Sequence, residues 1–182
     1  MSFMKKHPRS QTPFLEVEYQ SSIKLKPTDE RILKQYLALV SPVFEQLVKE
    51  NVIKGKSRSL KTFQVSLLIC GDERIRKLNQ EYRAKDKVTD VLSFPAQEDL
   101  RIYSPDEEVL HLGDLAISFP QTKRQAKEFS IGIWDEFIHL FFHGLIHLLG
   151  YDHELSQKEE KLMQLWESRA LDIFSDKKKG SL

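Results

Sequence analysis

At 182 residues, 40% of them hydrophobic, the chain is sized for one domain with a sizeable core. Its 28 basic and 27 acidic side chains leave a net charge of +1, which removes any global electrostatic case for a nucleic-acid or membrane partner and requires that such a case be local. A single cysteine, Cys70, excludes an intrachain disulfide framework; no apolar run follows Lys5 and Lys6, and the most apolar stretch, 137–149, is shorter than the ~20 residues a bilayer needs, so a cytoplasmic protein with no membrane partner is expected.

The first 13 residues are polar, carry Pro8 and Pro13 and show no periodicity, and are expected to form a disordered extension ahead of a single domain at 14–176. Leu15, Val17 and Tyr19 then share one face of an alternating stretch, the pattern of a first strand. Ile32, Leu33, Tyr36, Leu37, Val40, Phe44, Leu47 and Val48 recur at three and four, predicting an amphipathic helix capped at Thr28 or Asp29 and bent near Pro42. The basic stretch 51–61, with Lys54, Lys56, Arg58 and Lys61, reads as a solvated loop in preference to an RNA contact. Thr62–Cys70 alternates and then becomes continuously apolar, as a strand entering a sheet core does. Asp72 is placed to cap a short helix whose Ile75, Leu78 and Tyr82 face the core and which ends near Arg83.

A short strand at Thr89–Phe94 is closed by Pro95, residues 96–108 read as an acidic loop, and His111–Phe119 predicts another strand. Pro120 opens a helix holding Lys123, Arg124 and Lys127. The next helix, starting at Trp134 or Asp135, is apolar on nearly every side and is therefore expected to be enclosed. Ser156-Gln157-Lys158-Glu159 has the form of a capping box and begins a last helix, followed by a solvated basic tail at 177–182. Strands interspersed with helices predict an α+β fold, a small mixed β-sheet packed with helices around a buried central helix.

The chemistry concentrates on that central helix. His143 and His147 are four apart, so their rings project from one helical face a turn apart. The pair alone is weak evidence, because two satisfied imidazoles on a helix are common. His153, beyond a glycine at 150 suited to a left-handed helix end, completes His-x3-His-x5-His, the ligand spacing of the metzincin signature His-Glu-x-x-His-x-x-Gly-x-x-His. Three neutral imidazoles leave a tetrahedral ion one open position, the catalytic pattern; one zinc ion is the first choice, and nickel, copper and iron also suit imidazole. Where the peptidases carry their general base this chain has Gly144, which cannot accept a proton, so a peptidase is disfavoured and any hydrolysis must be completed from elsewhere. His139, one turn before His143, is expected in the core or behind a ligand.

The run His143–His153, with Asn79-Gln80-Glu81-Tyr82-Arg83, Asp86, Thr89–Pro95 and Leu112-Gly113-Asp114, resembles the YbeY family of bacterial endoribonucleases over about 60–155, its separated motifs standing in the family's order. The resemblance implies a metal-dependent, first of all zinc-dependent, single-strand-specific endoribonuclease. It implies action in ribosomal RNA maturation, at the 16S 3′ end, and in ribosome quality control, with RNA and the small ribosomal subunit as partners. It also implies His143, His147 and His153 as ligands and Arg83 as the functional arginine. An arginine fork suits a phosphodiester, and Lys85, Lys87, Lys123, Arg124 and Lys127 can form a basic substrate rim if the fold gathers them beside the histidines. Asp90 and Asp114 are expected to be structural. Two rivals stay open: a zinc-dependent hydrolase of another substrate, and a non-catalytic ribosome assembly factor with a structural metal.

Overall fold

Four strands and five helices form among residues 13–53, 62–97, 109–153 and 155–181, which the computed structural model describes. In chain order they are β1 (Phe14–Ser21), α1 (Pro27–Lys49), β2 (Thr62–Cys70), α2 (Asp72–Arg83), β3 (Val91–Pro95), β4 (Val109–Ser118), α3 (Phe119–Glu128), α4 (Ile133–Leu148) and α5 (Gln157–Ser181). The expectations for residues 1–12, for the basic stretch 54–61 and for most of the acidic loop, 98–108, lie outside the described residues.

The strands lie in the order β1-β2-β4-β3, with β1, β2 and β4 parallel and β3 antiparallel to β4, so the α+β fold with a small mixed sheet is the one observed. Alternation along β2 sends Phe63, Val65, Leu67 and Ile69 to one face, where they join Leu112, Leu115 and Ile117 of β4 in the main core. Helices α1, α4 and α5 supply the other side of that core. The opposite face is covered by α2 through Ile75, packed with Cys70, Leu92 and Ala116. Helix α4 runs among α1, α3, α5, β3 and β4, and Phe137, Phe141, Phe142, Leu145 and Ile146 on its several sides are all buried. Its near-uniform apolarity is therefore spent on enclosure, each such side chain contributing about 1.5–3 kcal/mol.

A bulge sets where β3 meets β4. Gln64 pairs with His111 but Val65 pairs with Gly113, so Leu112 is an extra residue in β4. Gly113 has φ +139°, and a Cβ there would stand 2.2 Å from the Phe94 carbonyl oxygen of the adjacent strand. Gly113→Ala is accordingly expected to destabilise the fold by about 3 kcal/mol or more, combining backbone strain with a clash that only a strand shift relieves, as read by urea unfolding.

Several local expectations give way to tertiary partners. Helix α1 starts directly at Pro27, without a side-chain cap; the proline presets φ at the first helical position, and Asp29 and Glu30 occupy the first turn. It runs through Pro42 as one helix, and the neighbouring Ser41 hydroxyl accepts a hydrogen bond from the Leu15 amide of β1 at 3.1 Å. Tyr82 is 58% exposed, its ring edge-on to Phe94, while Asn79 is the buried residue and donates to the Lys87 carbonyl at 2.9 Å. The lysine run 177–179 forms the last turns of α5, where Lys179 stays exposed to solvent while Lys178 reaches Asp135 of α4 at 2.6 Å and lies over the Tyr36 ring of α1. Ser156 caps α5 as expected, its Oγ accepting from the Glu159 amide at 3.2 Å.

Asp72 is not a cap either. It is the first helical residue of α2, where it accepts from the Ser118 hydroxyl at 2.7 Å and pairs with Arg124 of α3 at 2.8 Å. Hydrogen bonding from Arg124, with a smaller share from Ser118, outweighs burial and holds the Asp72 carboxyl below its usual value. The folded chain thus binds this proton less readily than the unfolded one. The pair's stabilisation is full above about pH 5 and is lost as pH falls through the folded value, below about 3.9. Because the pair is partly exposed, its contribution is about 1 kcal/mol or less. Asp72→Asn should lower urea resistance slightly at neutral pH, the difference from the parent shrinking as pH falls below about 3.9.

Candidate metal centre

The Leu149-Gly150-Tyr151 turn builds the centre. Gly150 takes φ +86°, its amide bonding the His147 carbonyl at 2.9 Å and the Tyr151 amide the Ile146 carbonyl at 3.3 Å, which is the paired closure of a Schellman motif. Tyr151 is then buried, with its hydroxyl donating to the Val52 carbonyl at 2.7 Å. The chain leaving this turn brings His153 back over the helix. The ring centroids of His143, His147 and His153 stand 4.8, 5.7 and 5.1 Å apart in pairs, and the three residues each offer a ligand atom within 4.8 Å of the others.

Hydrogen bonds choose which nitrogens face an ion. His147 Nδ1 lies 2.9 Å from the Tyr151 carbonyl oxygen, which can only accept, so the proton sits on Nδ1 and the lone pair on Nε2. His143 Nδ1 lies 2.8 Å from Glu167 Oε1 of α5, with the same consequence. Burial first, and then the neighbouring imidazoles of His143 and His153, push the His147 pKa down, which keeps that ring in the neutral form that binds metals. Two fixed rings with free Nε2 lone pairs and a third imidazole close by fit a divalent transition-metal ion.

Arg83 joins the histidines in one cleft of about 570 Å³, which Lys85, Lys87, Asp90 and Gly144 also line. Helix α2 ends there with Ala84 in the left-handed region, and Arg83 Nη2 donates to the Ser93 carbonyl of β3 at 3.1 Å. Arg83 makes no ion pair among the described residues; Asp86 is taken by Arg76 at 2.6 Å. Asp90 holds the loop together, one oxygen accepting from the Val91 amide and Thr89 hydroxyl, the other from the Gln125 amide of α3 at 2.8 Å. Asp114 lies outside this cleft, in a groove on the α2 face of the sheet, 3.5 Å from His111. Gly144 marks where α4 lies tightly on the sheet: a Cβ there would stand 2.7 Å from Leu115 Cδ2.

The cluster is smaller than the sequence reading in one respect and larger in another. Lys123, Arg124 and Lys127 do not line the cleft, because α3 turns Phe119, Thr122 and Ala126 inward and these cations outward. Lys123 sits over the Phe119 ring and Arg124 is committed to Asp72 and Gln121. His139 is neither core nor behind a ligand. Eight residues before His147 it has drifted about 80° round the helix from that ring, toward Leu171 and Phe174 of α5, where its side chain is 42% exposed and 3.4 Å from the buried Glu136. Glu167, by contrast, touches a candidate ligand from a separate helix, and no spacing in the sequence announces it.

A family model described as Endoribonuclease YbeY matches residues 23–175. A protein named Endoribonuclease YbeY from a Sulfurihydrogenibium strain is 37% identical over 142 residues, 78% of this chain and 90% of that one. One of the same name from Bacillus cereus is 36% identical over 150 residues, 80% and 90% of the two chains. The solution structure of a Thermotoga maritima protein shares the fold at a TM-score of 0.57 and 22% identity, covering 91% of this chain and 93% of the other.

Proposed function

Since the chain belongs to the Endoribonuclease YbeY family, we propose that it is a zinc-dependent endoribonuclease that cuts single-stranded RNA, one domain at 14–176 carrying the activity. The observation that carries this reading is the convergence, in a single cleft, of three imidazoles and the guanidinium of Arg83, which makes no ion pair among the described residues. The candidate ligands are His143, His147 and His153, and Arg83 is the candidate catalytic residue.

Arg83 is anchored through one nitrogen on Ser93, leaving the rest of its fork for a phosphodiester and for the charge that grows on it during cleavage. Lys85 and Lys87 add positive charge on the same wall, so the local electrostatic case that the neutral net charge withholds is met here. Lys123, Arg124 and Lys127, which do not line the cleft, are assigned to RNA running beyond it. A bound zinc ion would supply Lewis acidity toward a phosphoryl oxygen. The ion's neighbours leave bare backbone at Gly144 instead of a peptidase carboxylate, which favours a substrate bringing its own negative charge.

Ribosomal RNA maturation, including the 16S 3′ end, with the small ribosomal subunit as partner and the cytoplasm as its place, is the role we assign to the activity. The test is to give purified protein a single-stranded ribosomal RNA fragment, the same fragment annealed to its complement, and a peptide. Cleavage of the first alone is expected; an intact RNA beside a cut peptide favours the other hydrolase, and no cleavage of anything by folded, metal-loaded protein favours the assembly factor.

A further inference from the structure

We infer that Glu167 of α5 is a positioning residue of the three-histidine centre, fixing the tautomer and the angle of the His143 ring and raising that ring's strength as a ligand. The inference rests on the metal reading above. Glu167 Oε1 accepts from His143 Nδ1 at 2.8 Å, and its side chain is only 16% exposed, so the charge-assisted bond is shielded from water. A carboxylate on Nδ1 draws electron density toward Nε2, the nitrogen left for an ion.

The three imidazoles are held unequally. His147 has the neutral Tyr151 carbonyl, supplied by its own turn, and His153 is exposed at the mouth. His143 is held by an anion from a helix that begins after the whole ligand segment has ended. That helix is itself fixed. Met163, Ala170, Ile173 and Phe174 are buried in the core, and Arg169 forms a two-pronged ion pair with Glu50, which caps the C-terminus of α1, at 2.7 and 2.6 Å. The Glu167 carboxylate is therefore delivered by core packing rather than by a flexible loop, as a support for a ligand must be. The geometry makes metal affinity a property of the packed fold, not of the His143–His153 segment alone.

The alternative, a simple stabilising ion pair, predicts a loss of stability in metal-free protein and no change in metal affinity. Zinc affinity is measured by competition with a chelator, and cobalt(II) absorption reports ligand geometry, for the parent, Glu167→Ala and Glu167→Gln. The alanine variant is expected to bind zinc about 10- to 100-fold more weakly and to shift the cobalt bands, while its metal-free melting temperature moves by only a few degrees. The glutamine variant, which keeps an acceptor but no charge, is expected to lose at least about threefold. Parental zinc affinity in Glu167→Gln overturns the proposal, and that variant decides the matter even where the alanine variant does not fold. A parent that binds neither zinc nor cobalt overturns the metal reading itself, whatever Glu167 does.

Discussion

Replacing His147 with alanine is expected to weaken zinc binding by about a hundredfold or more and to abolish RNA cleavage while leaving the fold in place. Structural zinc sites with four ligands gain about 10–16 kcal/mol, roughly 3 kcal/mol per ligand, so losing one of three imidazoles is worth at least two decades. His147 is a ring whose tautomer is set by a carbonyl that can only accept, and whose pKa burial pushes down into the metal-ready form. Its removal also leaves the Tyr151 carbonyl without this donor, at about 1 kcal/mol, a cost the buried α4 core absorbs. Elemental analysis after dialysis, together with circular dichroism, separates the outcomes: metal-free and folded agrees with the assignment, whereas one zinc per chain at parental affinity removes His147 from the ligand set.

Arg83→Ala should act in the opposite way, keeping the metal and losing the reaction. Removing one preorganised donor from a developing oxyanion costs about 10²–10³ in rate. Arg83 is exposed and, among the described residues, makes one hydrogen bond, to Ser93, so stability should change by about 1 kcal/mol or less. Arg83→Lys should recover only a small part, because an ammonium cannot reproduce a fork that holds Ser93 with one nitrogen and a phosphate with the others. The measurement is single-turnover cleavage at saturating RNA with zinc content determined on the same samples. Equal rates for the parent and the alanine variant would reduce Arg83 to a surface residue that braces β3.

What could be read from the residues alone was whatever depends on neighbours in the chain. The period of four between His143 and His147, the glycine at 150 and the third histidine are all local, and the turn forms with Gly150 at φ +86° as that pattern requires. The enclosure of α4 followed from apolar residues on every side. The errors fall where a tertiary partner outbids a local preference. Asp72 had the form of a helix cap, yet Arg124 and Ser118 claim its carboxylate, and that same pairing withdraws Arg124 from the cleft. Of the lysines at 177–179, Lys179 is solvated as composition suggests, but Asp135 and the Tyr36 ring give Lys178 a destination that composition cannot show. His139 sat on the right side of a helical wheel drawn for one turn, and a further turn's drift takes it to α5. Glu167 was invisible because its meaning depends on how α5 crosses α4.

Gly144 is the residue that most changes the chemistry expected of the His-x3-His-x5-His spacing. The structure gives a packing reason for it, since the helix lies against Leu115 there, and the same bare stretch of backbone lines the cleft with Arg83. Two features of one glycine thus point the same way, toward a reaction aided by cations around an anionic substrate rather than by a carboxylate base.

The central claim, that the histidine cleft is a metal centre for cutting single-stranded RNA, is tested most directly by cleavage under chelation and metal return. A labelled single-stranded ribosomal RNA fragment is incubated with purified parent protein, then with chelator-stripped protein, then with stripped protein given one equivalent of zinc. Internal cleavage that disappears on stripping, returns with zinc and is absent throughout in His147→Ala is the predicted result. Cleavage that continues unchanged after stripping and in His147→Ala would contradict it.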